Sequence, residues 1–115
     1  MPAQDPLRRY ADCIAACNAC AMECRHCAAA CLQEPDVQHM ARCIALDFDC
    51  AQVCQLAAAL MAGGSDHAPA LCRVCAQVCQ ACGDECARHD ADHCKQCAEA
   101  CHRCARECER MAAAA

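Results

Sequence analysis

The sequence predicts an all-α fold, an antiparallel up-down-up-down four-helix bundle with a cysteine-lined core. Three observations carry that expectation. The nineteen cysteines fall on stripes stepped mostly by three and four residues, the heptad a/d seam that a helix turns toward its partners. Alanine, the best helix former, is abundant, and of only three glycines two lie together, so long uninterrupted helices are available. Three short polar breaks divide the 115 residues into four stretches, and short connections between long helices favour antiparallel neighbours.

The first helix is expected at about residues 6–33. Its seam is Cys13, Cys17, Cys20, Cys24, Cys27 and Cys31, with steps of four, three, four, three and four. Pro35 ends it, and Asp36 can cap the second helix, at about residues 36–62. That helix has the sparser set Cys43, Cys50 and Cys54. Gly63 and Gly64 open a loop that runs to Pro69, a C-terminal glycine stop followed by a fresh N-cap. The third helix, at about residues 67–88, carries Cys72, Cys75, Cys79, Cys82 and Cys86. Asp90 or Asp92 can cap the fourth, at about residues 91–112, with Cys94, Cys97, Cys101, Cys104 and Cys108. Each helix has roughly 22–28 residues, or about 33–42 Å, and residues 1–115 read as a single domain. Continued to their ends, the seams add Tyr10, Met40, Asp47, Ala57, Met61, His89 and Met111.

Composition narrows the function classes. With no tryptophan, one phenylalanine and one tyrosine, a conventional aromatic core cannot be built, and cysteine and alanine inflate the 58% hydrophobic fraction. A formal charge of −5 and few aromatics argue against nucleic-acid binding. No run approaches the ~18 apolar residues of a membrane span, so no membrane partner is expected. The first ten residues lack the apolar stretch of a signal peptide. A cytosolic location is therefore expected, where thiols stay reduced. No nucleophile–base pair or open catalytic metal site is visible, and the chain is not expected to be an enzyme.

Residues three or four apart on a helix are neighbours on one face, so each ladder gives every thiol a neighbour above and below. Soft thiolate and thioether ligands select Cu(I), Zn(II) or iron–sulfur clusters. Zinc prefers closed tetrahedral sets of four, and clusters use four cysteines each; an unbroken ladder isolates no such sets. Cu(I) accepts two or three sulfurs, and a thiolate can bridge two coppers. At about one Cu(I) per thiolate the filled core is near neutral, which avoids burying net charge. Empty, the cysteines behave as small hydrophobes, so the apoprotein is expected to fold by itself and to release about one proton per cysteine on loading.

In this topology Cys31, His39, Met40, Cys86, His89, His93 and Cys94 share one end. Tyr10, Cys13, Cys54, Met61, Cys72, Cys108 and Met111 share the other. The histidine end is inferred to admit copper, with Met40 and His89 as the non-cysteine ligand candidates, while Met61 and Met111 plug the far end. His26, His67 and His102 read as surface or loop residues. Asp47 is a poor Cu(I) ligand; it either accepts hydrogen bonds from neighbouring thiols or turns to solvent. Apolar side chains off the seam, among them Ile44, Phe48, Leu56 and Val74, point to self-association.

With cysteine ladders on three helices and a sparser second helix, the chain resembles the bacterial copper storage proteins over about residues 6–112, and the absent leader resembles their cytosolic branch. The resemblance implies storage of many Cu(I) ions in the bundle, a Met/His-containing open end and a homotetramer; a copper chaperone is the candidate donor. It further implies Cu(I) held mainly by within-helix pairs: Cys13 with Cys17, Cys20 with Cys24, Cys27 with Cys31, Cys50 with Cys54, Cys75 with Cys79, Cys82 with Cys86, Cys97 with Cys101, and Cys104 with Cys108. The remaining readings are a metallothionein-like Zn(II)/Cd(II) buffer and a disulfide-stapled structural bundle.

Overall fold

The computed structural model describes residues 5–114, and among them there are helices and turns but no strand. Four long helices form the body: α2 (Ala11–Cys31), α3 (Ala41–Ala62), α4 (Ala68–Cys86) and α5 (Asp92–Ala114), preceded by the single turn α1 (Pro6–Arg9). α2 packs on α3 and α5, and α4 packs on the same two, so the helices occupy the corners of a square. The sulfur contacts show the direction. Cys13 meets Cys108 while Cys31 meets Cys94, so α2 and α5 run antiparallel. Cys43 meets Cys86 while Cys54 meets Cys75, so α3 and α4 do too.

The first expected helix is kinked. Asp5 caps α1 by accepting the Leu7 N–H at 2.9 Å, with Pro6 in the first turn where its missing N–H costs nothing. Tyr10, at φ −106° and ψ 12°, then turns the axis. The hydrogen-bond path survives the kink, because Tyr10 N–H reaches Pro6 O at 3.0 Å and Ile14 N–H reaches Tyr10 O at 2.8 Å. The turn lets α1 fold against the end of α3, where Pro6 Cγ would lie 3.0 Å from a Cβ on Gly64.

Gly64 has φ +66°. Ser65 N–H bonds Leu60 O at 2.9 Å and Gly64 N–H bonds Met61 O at 3.1 Å, the paired bonds of a glycine-terminated helix end. A side chain here would strain the turn and displace Pro6.

Other ends differ from the sequence reading. The second helix begins as a 3₁₀ turn (Val37–Met40) that leads into α3, and the Asp36 side chain makes no capping bond. Before α4, Ser65 Oγ accepts the His67 N–H at 3.0 Å. The stretch Val37–Ala62 is long and apolar enough, by length and composition, to cross a membrane, which corrects the expectation that no run comes close. Its cysteines and Asp47 face the bundle interior, which accounts for its apolar composition.

The core is sulfur surrounded by small residues. All nineteen cysteines are buried. Alanines such as Ala21, Ala51 and Ala105 are fully buried beside them, which brings the backbones close enough for thiols to meet. Tyr10, Met40, Asp47, Ala57, Met61 and His89 are also buried, and Met111 is half-buried. Off the seam, Ile44 is buried, whereas Phe48, Leu56 and Val74 are exposed.

Candidate metal centre

The heptad steps bring the thiols of four helices onto one axis. Six within-helix pairs are in contact: Cys20–Cys24 at 4.0 Å, Cys27–Cys31 at 3.8 Å, Cys50–Cys54 at 3.9 Å, Cys75–Cys79 at 3.7 Å, Cys97–Cys101 at 3.8 Å and Cys104–Cys108 at 3.9 Å. Contacts between helices are as short or shorter. Cys43–Cys86 is 3.2 Å, Cys50–Cys79 and Cys54–Cys79 are 3.5 Å, and Cys20–Cys101 is 3.6 Å. Every cysteine is a free thiol, which leaves the stapled-bundle reading without a bridge in this structure.

Sets of four thiols do form, contrary to the one-dimensional reading of the ladder. Cys17, Cys54, Cys75 and Cys104 lie within 4.8 Å of one another, as do Cys20, Cys24, Cys50 and Cys101, and Cys20, Cys50, Cys54 and Cys79. They are assembled across helices, so spacing along one helix could not reveal them. They also overlap: Cys20 and Cys50 belong to two of these sets, and Cys54 to two. Isolated ions, each with four thiols of its own, could not fill all the sets at once, whereas ions sharing bridging thiolates could.

Asp47 interrupts the ladder of α3 with no solvent exposure. Its Oδ1 accepts from the thiols of Cys82 and Cys97, both at 3.3 Å, and of Cys86 at 3.6 Å. Of the two options the sequence left open, the structure shows the hydrogen-bonded one. Burial, the largest cause, pushes the carboxyl up to about 10, so it is neutral near pH 7. Burial likewise pushes the Cys94 thiol up to about 11 and the Cys31 thiol higher. These two thiols are neutral before metal arrives, and an ion must displace their protons.

The histidine end is a structured mouth. A cleft of about 360 Å³ opens there, lined by Glu34, Asp36, His39, Met40, Arg88 and His89 among others. The rings of His39 and His89 meet edge-on at 5.2 Å. His89 Nε2 lies 2.9 Å from Glu85 Oε2, and Arg42 and Arg88 hold the other Glu85 oxygen at 3.4 and 3.7 Å. His93 Nε2 is 3.5 Å from Glu34 and has no hydrogen-bond partner. The sequence reading missed Glu85, Arg42 and Glu34. Glu85, in the last turn of α4, and His89, just past its end, sit four apart in the chain, a signal available in the sequence, but the arginine from α3 is a tertiary contact.

At the opposite end, the Cys72 thiol donates to Met61 Sδ at 3.7 Å, and Tyr10 and Leu60 close over the sulfurs. His102 is half-exposed and pairs with Asp84 at 2.9 Å, away from the thiols.

A sulfur-lined helical tube with one polar, imidazole-edged mouth has counterparts among known proteins. The copper loaded by a Streptomyces lividans storage protein at ten equivalents sits in a structure that superposes on this chain with a TM-score of 0.90, at 42% identity over 98% of this chain and 92% of that one. A cytosolic copper storage protein of the same organism, with five coppers, gives 0.88 at 45% identity over 94% and 95%. The apo form of copper storage protein 3 from Bacillus subtilis gives 0.84 at 46% identity over 88% and 96%. A cysteine-rich protein of Bacillus subtilis (strain 168) is 44% identical over 88 residues, covering 76% of this chain and 82% of its own length. The copper storage protein family model matches residues 7–113. The chain belongs to the copper storage protein family.

Proposed function

We propose that this chain stores and buffers Cu(I) at high capacity, on thiolates lining the bundle core, at about one ion per cysteine. The observation that carries the reading is the set of nineteen buried free thiols, most of them with a sulfur neighbour at an Sγ–Sγ separation of 3.2–4.0 Å. Neighbouring sulfurs at that spacing can each share an ion with the next, and a deprotonated thiol beside each Cu(I) keeps the interior near neutral. Sequestration of this kind protects a cell from copper and holds a reserve to be supplied later.

In this reading all nineteen cysteines are ligands. Met40 and His89 receive the ion at the mouth and pass it to Cys43, Cys31 and Cys94. An unpartnered imidazole nitrogen on His93 and the cleft beside Met40 support that direction of entry. The cytosolic relative from Streptomyces supports a cytosolic store. Exposed Leu32, Phe48 and Leu56 support association into a homotetramer, and a copper chaperone would act as donor.

Metal competition tests the function. Reduced apoprotein is offered Cu(I) and Zn(II) together against chelators of known affinity. Copper alone should be retained, in many equivalents. Uptake of about four or five zinc ions in preference would instead support the buffer reading, in which separate four-thiol sets act alone.

A further inference from the structure

The mouth holds a buried carboxylate that the sulfur core does not use. Glu85, in the last turn of α4, is 9% exposed. A carboxylate taken out of water is costly unless hydrogen bonds and opposite charges surround it. Three partners do so here. His89 Nε2 approaches Oε2 at 2.9 Å, while Arg42 and Arg88 reach Oε1 at 3.4 and 3.7 Å. The two arginine side chains are 72% and 77% exposed, so their ion pairs add little stability. Their effect is geometric: one from α3 and one from just past α4, they fix the carboxylate that meets the imidazole.

That contact selects one face of the ring. A carboxylate accepts hydrogen bonds and donates none, so the hydrogen between the two groups sits on Nε2. The neutral ring then carries its lone pair on Nδ1. His89 is itself buried, and His39 braces its ring edge-on at 5.2 Å. Histidines that bind metals are oriented in this way, by a carboxylate on the nitrogen that the metal does not take. His39, Arg42, Glu85, Arg88 and His89 together enclose a cleft of about 240 Å³, which shares His39, Arg88 and His89 with the mouth.

The same carboxylate sets the outermost thiols in register. Arg42 and Glu85 immediately precede Cys43 and Cys86 in the chain. The ion pair on the outside is matched by the Cys43–Cys86 contact on the inside, which at 3.2 Å is the shortest thiol–thiol separation among the described residues. One side chain thus ties α4 to α3 at the mouth end of the ladder and holds the ring beside it.

We infer that Glu85 is a positioning residue for copper loading, holding His89 with Nε2–H turned to the carboxylate and Nδ1 left as the donor to an arriving Cu(I). The inference rests on the storage reading above and deepens it. A hard carboxylate is a poor Cu(I) ligand, so Glu85 acts through the ring and not on the ion.

The test reads the ring first and the loading second. Long-range ¹H–¹⁵N NMR of the reduced apoprotein at about pH 8, above the ordinary imidazole value, shows which nitrogen of His89 carries hydrogen, with His89→Ala assigning the signal. Hydrogen on Nε2 alone is expected, and a proton on Nδ1 overturns the inference. This is read on the unmodified chain, so it decides even if Glu85→Ala does not fold. Cu(I) transfer from a chelator complex into the reduced full chain is then timed. Glu85→Ala should mix the tautomers and slow loading about tenfold or more, with the titration endpoint unchanged. Glu85→Gln keeps an amide oxygen for Nε2–H and should restore the tautomer and most of the rate. In a chain already carrying His89→Ala, adding Glu85→Ala should slow loading no further, because a residue that acts through the ring has nothing left to hold. Loading at the original rate in Glu85→Ala, or further slowing in the double variant, overturns the inference. Loss of copper capacity in step with the rate does so too, since it makes Glu85 merely structural. Normal loading of the unmodified chain with a proton on Nδ1 defeats this inference alone, whereas no copper uptake at all defeats the storage reading with it.

Discussion

Replacing Asp47 by asparagine should change how the apoprotein's stability depends on pH. In the unfolded chain this carboxyl titrates near its ordinary value of 3.8, and in the folded chain burial, the largest cause, raises it to about 10. At pH 7 it is ionised when unfolded and neutral when folded, so folding takes up a proton. Each unit of pH between the two values is worth about 1.4 kcal/mol. The roughly three units from 3.8 to neutrality therefore cost up to about 4 kcal/mol of stability at pH 7. The sign follows from the raised value. The contribution is fully present below pH ~4 and is lost progressively as pH rises toward about 10. Asparagine keeps a carbonyl oxygen for the Cys82 and Cys97 thiols, which approach Oδ1 at 3.3 Å, and has no proton to gain. Urea unfolding of reduced apoprotein, followed by circular dichroism from about pH 5 to 8, should show the original chain losing about 1.4 kcal/mol per pH unit relative to Asp47→Asn. The other titrating groups cancel in the difference. Parallel pH curves for the two proteins would refute the claim that this carboxyl is held neutral in the core.

Three further outcomes are expected. Gly83→Ala should lower the melting temperature, because its Cβ would lie 2.6 Å from His102 Cδ2. Overpacking of about 1–3 kcal/mol exceeds the ~1 kcal/mol gained in helix propensity, and with His102→Ala already present the same substitution should become neutral or stabilising. Ala57→Cys fills a fully buried gap between Cys54 and Met61 on the α3 seam, and Cu(I) titration should then end about one ion per chain later if the ladder loads as proposed. Copper loading in a weakly buffered solution should release about one proton per cysteine, read by pH-stat, and apparent affinity should fall as pH is lowered because protons compete for the raised thiols of Cys31 and Cys94.

The bundle was legible in the sequence because its signal is local. A thiol every third or fourth residue marks the buried face of a helix without knowledge of its partner, and it put Tyr10, Met40, Ala57, Met61 and His89 on the seam that the structure buries, while leaving Asp47 open between thiols and solvent. The kink at Tyr10 was not legible, since it goes with Pro6 meeting Gly64 nearly sixty residues away. The four-thiol sets were missed for the same reason: Cys17, Cys54, Cys75 and Cys104 come from four helices. The mouth was half-visible. Its histidines cluster in the sequence, but the ion cluster of Glu85 with Arg42 exists only once α3 and α4 are side by side.

The most direct test of the central claim is the endpoint of an anaerobic Cu(I) titration of the reduced chain against a competing chelator, with free thiols counted first. The account predicts nineteen reactive thiols, the number of cysteines in the chain, and tight uptake that ends sharply near one copper per cysteine. An endpoint near five ions would mean that the four-thiol sets act as isolated sites, and thiols already oxidised before titration would mean a stapled structural bundle; either result contradicts the account.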